Sequence, residues 1–415
     1  MPRFCLLLLA FARLLTAQPG LKLLLPERTR LLAGQQIDLV VEGRNLPEAG
    51  VLTVRASGMD ISARFSKATP ADLDCDASRD YVWRAELFSF DAPALTELTV
   101  EWRSSNQTPL REIRQIRVQA FNPQRRNLIL FIGDAMGNAY RDAARIVARS
   151  TETRPGVSGL RQGFFDKWNE MDEMPVTGLV MTYGYDNLVP DSAQTASHWS
   201  TGNKPLTGAL SAFPDGTDCQ WRTSFNAAQL PFLRDNPRVE SLLEFLKRRH
   251  GYRTGNVSTA FLTDATPAAQ GSHTPTRGAT FEVSRQYLEN PMLKGSPAFD
   301  IILGGGKEDF DADIRADGRD LVKEFTAKGF SFVQTATALA AVPANTKLLL
   351  GLFRRPNEVR TAARRDGAHD FSRTHEERER PPPPDARGEG TRPLSSLLCR
   401  NRVGTPRRKP SGIDI

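Results

Sequence analysis

The sequence predicts an α/β protein: a sheet flanked by helices, preceded by a small β-sandwich. Two runs predict the sheet. Asn127–Ile132 is almost wholly apolar and ends in Gly133-Asp134, the pattern of a parallel strand buried on both faces. A second β-prone run, Gly255–Leu262, closes on Thr263-Asp264-Ala265-Thr266-Pro267, with a helix expected to begin at or near the proline. The sandwich is predicted by short alternating runs between residues 18 and 123, separated by turn residues.

Residues 1–17 have the layout of a signal peptide: Met1-Pro2-Arg3 supplies the positive start, and Phe4–Leu15 is apolar apart from Arg13. Thr16-Ala17 before Gln18 is a passable cleavage site. The apolar run is too short to span a bilayer, so export rather than anchoring is expected, and no other segment qualifies as a span. Residues 18–123 follow as the sandwich, of immunoglobulin-like character. Its runs are Gln36–Glu42, Val51–Arg55, Leu95–Trp102 and Ile113–Val118, with no cluster of His, Cys or acids that suggests chemistry. Residues 124–353 form the expected catalytic part.

From Arg354 to Ile415 the composition changes. The stretch is crowded with arginine, contains Pro381–Pro384, and has few β-branched or aromatic residues with which to offset chain entropy. It is expected to be disordered. A natural basic tail and a reading-frame shift in a gene rich in G and C both account for it, and the shift is favoured. Residues 354–415 carry 15 Lys and Arg against 9 Asp and Glu, leaving 40 against 39 for the rest of the chain. Six of the seven net positive charges therefore lie in the tail, and nucleic acid is not an expected partner. Of the four cysteines, Cys75 and Cys219 could pair in an exported protein, although they fall in different expected domains.

Three motifs carry chemistry. Asp191-Ser192-Ala193, continued by Trp199-Ser200-Thr201-Gly202, presents a serine at the first turn of a helix, where free N–H groups and the positive dipole end favour phosphate. Taken alone, Asp and Ser are ordinary capping residues. Asp134 sits just past the carboxyl end of its expected strand, where open α/β sheets place ligands. Asp264 and Thr266 offer hard oxygen atoms suited to magnesium. Pro275 is expected to end or kink the helix after them, setting Arg277 near its far end with its guanidinium fork free for phosphate.

In this combination and order, Gly133-Asp134-Ala135-Met136-Gly137, Asp191-Ser192-Ala193 with Trp199–Gly202, and Asp264–Ala269 with Arg277 downstream resemble the alkaline phosphatase family. Met174–Gly178, Asn236–Ser241 and Ile302–Gly306 also look familial, and the resemblance runs from about Arg126 to about Phe353. It implies an alkaline-phosphatase-like sheet and a hydrolase acting on phosphate monoesters through a phosphoserine. In that scheme Ser192 is the nucleophile, Arg277 the phosphate clamp and Asp191 the residue that orients it. Asp134 bridges one zinc and the magnesium, Thr266 is a magnesium ligand, and Asp264 touches the magnesium shell through water. Asp264 stands where animal members carry His, which points to the bacterial magnesium-type branch. The family's cofactors are two Zn²⁺ and one Mg²⁺, its bacterial members are periplasmic or secreted, and a homodimer stays open. Phosphodiesterases and sulfatases share the fold but differ around the nucleophile.

The chain also departs from that pattern. A later Glu, an Asp and His pair, an Ala-Asp-His segment and a distal His are expected after Phe353, and none is present in context. Of the five histidines, His198 and His273 lie within the motifs at positions without a ligand role, and His250 ends an expected surface helix. His369 and His375 match nothing. A catalytically inactive fragment or pseudoenzyme is therefore the alternative to an active phosphatase.

Overall fold

The computed structural model describes residues 18–26, 28–47, 49–67, 80–105, 108–123, 127–149, 168–216 and 236–353, all within one compact unit. The expected signal peptide, the tail, Cys75 and Cys219 lie outside the described residues.

Two sheets occupy the N-terminal part. The strands are β1 (Gly20–Leu24), β2 (Arg30–Leu32), β3 (Gln36–Arg44), β4 (Val51–Ala56), β5 (Met59–Asp60), β6 (Ser66–Lys67), β7 (Tyr81–Ser89), β8 (Ala94–Arg103) and β9 (Leu110–Gln119). One sheet runs β1-β3-β7-β6 and is antiparallel throughout. The other runs β2-β9-β8-β4-β5, with β2 parallel to β9. Alternation along the strands sends Leu39, Val41, Trp83, Val54, Val100 and Ile116 into one shared core. The Trp83 and Trp102 rings meet there at 5.3 Å, a contact of the kind worth about 0.5–1.5 kcal/mol beyond area burial.

Strand β3 departs from simple alternation. Its polar positions Asp38 and Glu42 are buried, because a second segment covers that face. Asp38 N donates to Arg238 O and Glu240 N to Gln36 O, both at 2.9 Å, and Ile37 bridges Val239 antiparallel. Phe213 and Val239 enter the same core, so the N-terminal sheets continue directly into the catalytic part.

That part begins with α1 (Asn138–Arg149), α2 (Ser192–Thr201) and α3 (Leu242–His250). A parallel sheet follows, in the order β10 (Gly255–Phe261), β11 (Ile301–Gly305), β13 (Leu349–Leu352), β12 (Ser331–Val333). Helices α4 (Ala265–Ala268), α5 (Thr280–Leu288), α6 (Leu321–Ala327) and α7 (Ala336–Ala340) lie between these strands in the chain. Tyr287, Phe299, Phe310 and Phe325 fill the layer between sheet and helices with the buried alanines of α2 and α4. Among the described residues no helix is long and apolar enough to cross a membrane.

Two sequence expectations are corrected. Asn127–Gly133 is not a strand, and its side chains stand in solvent, Phe131 at 84 % exposure. Apolar composition permits a strand, but a strand forms only where a neighbour accepts its backbone groups. Among the described residues β10 pairs with β11 alone, and no ladder reaches the run. The helix after Asp264 is also shorter than expected. It is a single turn ending at Ala268, well before Pro275, closed by Gln270 N to Pro267 O and Gly271 N to Ala268 O. Gly271 packs so closely on Phe299 that a Cβ would sit 2.6 Å from the ring. Arg277 therefore lies on a returning loop, not at a helix end.

Candidate active site

Ser192 is the first residue of α2. Asp191 caps it, its backbone extended (φ −80°, ψ 173°) and its carboxylate accepting from Gln194 N at 2.9 Å. Gly202 closes the other end in the left-handed region (φ 79°), donating to His198 O. Ala193 and Ala196 face the core, and Ser197 Oγ, sealed inside, donates to Ala193 O and accepts from Ser211 N. Ser192 is thus left half-buried on the outward side.

Arg277 reaches Ser192 from the returning loop. The loop is fixed by Thr274 N and Leu210 N, each donating to the other's carbonyl at 2.9 Å, and by Arg277 N donating to Gly208 O at 2.7 Å. Arg277 Nη1 then donates to Ser192 Oγ at 2.9 Å and to Asp191 Oδ2 at 3.4 Å, and Nη2 donates to Asp264 Oδ1 at 2.5 Å. One guanidinium so joins three of the sequence-predicted residues, with its side chain about a third exposed and open to an incoming anion.

Asp264 caps the short helix α4, accepting from Ala265 N at 2.7 Å. Its place depends on the glycines of β11: a Cβ on Gly304 would meet Leu262 Cγ at 2.8 Å, so only glycine lets the end of β10 lie this close. Asp309, buried after β11, accepts from Thr263 Oγ1 and, at 2.8 Å, from Thr280 Oγ1. Thr266 Oγ1 donates to Asp134 Oδ2 at 2.7 Å. The turn at Asp134 is therefore delivered to the carboxyl end of β10 although the run before it is no strand.

As a donor set, Asp134, Asp264 and Thr266 provide hard oxygens, which fit magnesium. They do not fit zinc, which takes three or four ligands, mostly imidazole or thiolate. Among the described residues no group of three or more His, Cys, Asp or Glu stands together. His198 is held neutral, pushed down to about 4 first by burial and then by Lys204. His250 packs its ring on Phe245 and Phe121.

Sequence reasoning passed over the supports. His273, four residues before Arg277, is fully buried with Nδ1 2.9 Å from Ser211 O and Nε2 3.0 Å from Glu244 Oε1. The ring thereby bridges the Ser211 carbonyl and the Glu244 carboxylate. Glu244 also closes the capping box of α3 with Ser241 and accepts from Asn290 Nδ2 at 2.6 Å. Burial raises its pKa, but His273 and these donors outweigh that and hold it below the usual carboxylate range. The Ser-x-x-Glu pattern at Ser241 was the available signal; the pairing with His273 had none.

With this geometry in place, comparison with known proteins is decisive for the family. A family model described as alkaline phosphatase matches residues 125–382, and the chain belongs to the alkaline phosphatase family. It is 34 % identical over 255 residues to an alkaline phosphatase of Escherichia fergusonii, covering 56 % of this chain and 47 % of that one. It is 33 % identical over 230 residues to alkaline phosphatase 4 of Bacillus subtilis, covering 55 % and 42 %. The chain thus spans about half the length of these curated relatives. Among solved structures, an alkaline phosphatase from the Antarctic bacterium TAB5 aligns with a TM-score of 0.32 at 24 % identity, over 42 % of each chain.

Proposed function

We propose that this chain carries the phosphoryl-accepting half of a phosphate monoesterase site, with Ser192 as the group phosphorylated by substrate. The observation that carries this reading is the 2.9 Å hydrogen bond from Arg277 Nη1 to Ser192 Oγ, which sets nucleophile and clamp within one phosphate's reach. The Ser192 hydroxyl gives its proton to solvent as its oxygen attacks phosphorus and the ester P–O bond breaks, and the departing alkoxide takes a proton from solvent. Water then cleaves the phosphoserine, returning phosphate and the free hydroxyl. Arg277 neutralises the equatorial oxygens as charge redistributes, and Asp191 holds its fork in the plane that two parallel hydrogen bonds require. Asp264 shares the second nitrogen of Arg277, and an arriving phosphate competes with it.

Asp134, Thr266 and Asp264 would hold a magnesium ion, Asp264 through water; bound there, the ion supplies positive charge beside the developing anion. No step is derived through zinc, which these residues do not fit. Export, a homodimer, and broad phosphate monoesters as substrates are part of the same proposal and rest on the family. The test is acid trapping with labelled phosphate followed by peptide mapping of the full chain. Label on Ser192, lost in Ser192→Ala, supports the reading; label on Thr195 or Ser197 refutes it.

A further inference from the structure

The C-terminal end of the Ser192 helix is seated on the N-terminal sheets through one side chain. Asn203 is buried, and both N–H donors and the oxygen of its amide are engaged. Its Nδ2 donates to Arg30 O and to Thr201 O, each at 2.9 Å, and its Oδ1 accepts from Arg30 N at 2.9 Å. The Asn203 amide therefore pairs with both backbone groups of the first residue of β2, as a neighbouring strand would. Thr201 O is one of the carbonyls that a helix end leaves without an intrahelical partner. Gln35 reinforces the seat: its Nε2 donates to Glu240 O at 2.6 Å and lies 3.4 Å from Thr201 O, while its Oε1 accepts from Leu32 N at 2.8 Å. Glu240 closes the ring, accepting from Gln36 N at 2.8 Å and from Arg248, whose Nη2 also donates to Gly34 O.

We propose that Asn203 is a positioning residue through which the N-terminal sheets fix the register of the Ser192 helix. The helix is about 15 Å long at roughly 1.5 Å per residue, and a rigid rod transmits a shift of its seat to its other end. Arg277 is held through Gly208 and Leu210 by a loop that meets the helix only in its later half, at Ser197 and Ser200, so a helix tilted at its seat still changes the distance between nucleophile and clamp without removing either. The N-terminal sheets, which among the described residues show no group of three or more His, Cys, Asp or Glu placed to hold a metal, thereby act on the site. This inference rests on Ser192 being the phosphoryl acceptor.

The experiment compares the full chain with Asn203→Ala, Asn203→Asp and Val54→Ala, using p-nitrophenyl phosphate with magnesium and zinc supplied. Val54 lies in the core of the N-terminal sheets, paired with Val100 of β8 and outside the hydrogen bonds of the seat, so it reports destabilisation of those sheets. Asn203→Asp keeps the shape but sets a carboxylate against two carbonyl oxygens. Both Asn203 variants are expected to lower kcat about tenfold or more with KM changed less than kcat, since misplacement of about 1 Å costs up to 10²-fold. Val54→Ala lowers the melting midpoint and leaves kcat in place. Asn203 variants that lose only thermal stability overturn the proposal. Hydrogen exchange across residues 192–201 gives a readout that needs no turnover: exchange rises there in Asn203→Ala and stays unchanged in β8 and β9. If the unmodified chain does not turn over, or if Ser192→Ala hydrolyses as fast, the reading of Ser192 has failed, and the exchange result alone decides the seat. Unchanged exchange in the helix then overturns it.

Discussion

Thr266 donates to Asp134 across 132 residues of chain, at 2.7 Å. The contact ties the turn after an exposed apolar run to the one-turn helix after β10, bringing two separate sequence motifs to one end of the parallel sheet. Ser192 and Arg277 form the second such pair, and Asp264, bonded to Arg277 and two residues before Thr266, links the two.

Phosphoserine formation is expected at Ser192 alone among the hydroxyls of its helix. Thr195 Oγ1 is engaged with Asp191 O at 3.2 Å and Ser192 O at 3.3 Å, and Ser197 Oγ is sealed in the core. Tandem mass spectrometry of acid-quenched protein should find one phosphorylated position. Ser192→Ala should abolish it without altering the fold, because the cap hydrogen bond belongs to Asp191.

Arg277→Ala is expected to weaken inhibition by inorganic phosphate and slow turnover, while Ser192 stays the site of labelling. Loss of one such preorganised donor group costs about 2–4 kcal/mol. Arg277→Lys should recover only part of this, since an ammonium keeps the charge but cannot bridge Ser192 and Asp264 with two nitrogens. An unchanged phosphate inhibition constant in Arg277→Ala would remove the clamp from its assigned role.

Local features of the chain were easier to read in the sequence than the contacts that hold them together. The helix start at Ser192 was legible because Asp-Ser before small residues encodes it locally, with Asp191 as the cap. Strands β3, β4, β8 and β9 were legible from alternation, whereas β7 was missed: Tyr81-Val82-Trp83 is buried on both faces and shows no alternation. Asn127–Gly133 misled in the opposite direction, since its apolar residues state a preference for burial that only a partner strand can satisfy. The seat at Asn203 and the His273–Glu244 pair were invisible because each is a contact between segments far apart in the chain. Neither partner carries a local signal of the other.

Magnesium is expected to raise the melting midpoint of the chain, and Thr266→Val to reduce that rise. A ligand that binds only the folded state stabilises by about 2.7 kcal/mol at a hundred times its dissociation constant. Thr266→Val removes one oxygen donor and the hydrogen bond to Asp134, leaving the backbone cap at Asp264 intact. Scanning calorimetry with and without magnesium measures the difference between the two proteins. Equal magnesium-induced shifts would separate Thr266 from the metal.

Asp38 is expected to tie stability to acid pH. Its carboxylate is completely buried on β3, and accepts from Arg84, from Arg238 Nε at 2.6 Å and from Leu87 N at 3.0 Å. Burial alone would raise its pKa, but Arg238 and Arg84 outweigh that and hold it below the ordinary value of 3.8. A carboxyl whose folded value is depressed contributes stability that is complete above its unfolded value and is lost as pH falls through the folded one. Asp38→Asn should therefore cost about 3–5 kcal/mol near neutrality, because it removes the buried carboxylate between Arg84 and Arg238 and leaves the exposed Glu86 beside them. The gap between the two proteins should begin to close as pH falls below 3.8 and close fully only below the depressed folded value, where the natural side chain is neutral as well. Urea unfolding followed by tryptophan fluorescence across that range measures it, Trp83 lying on the strand paired with β3. A gap that stays constant from neutrality into acid would show that Asp38 acts through packing and not through its charge.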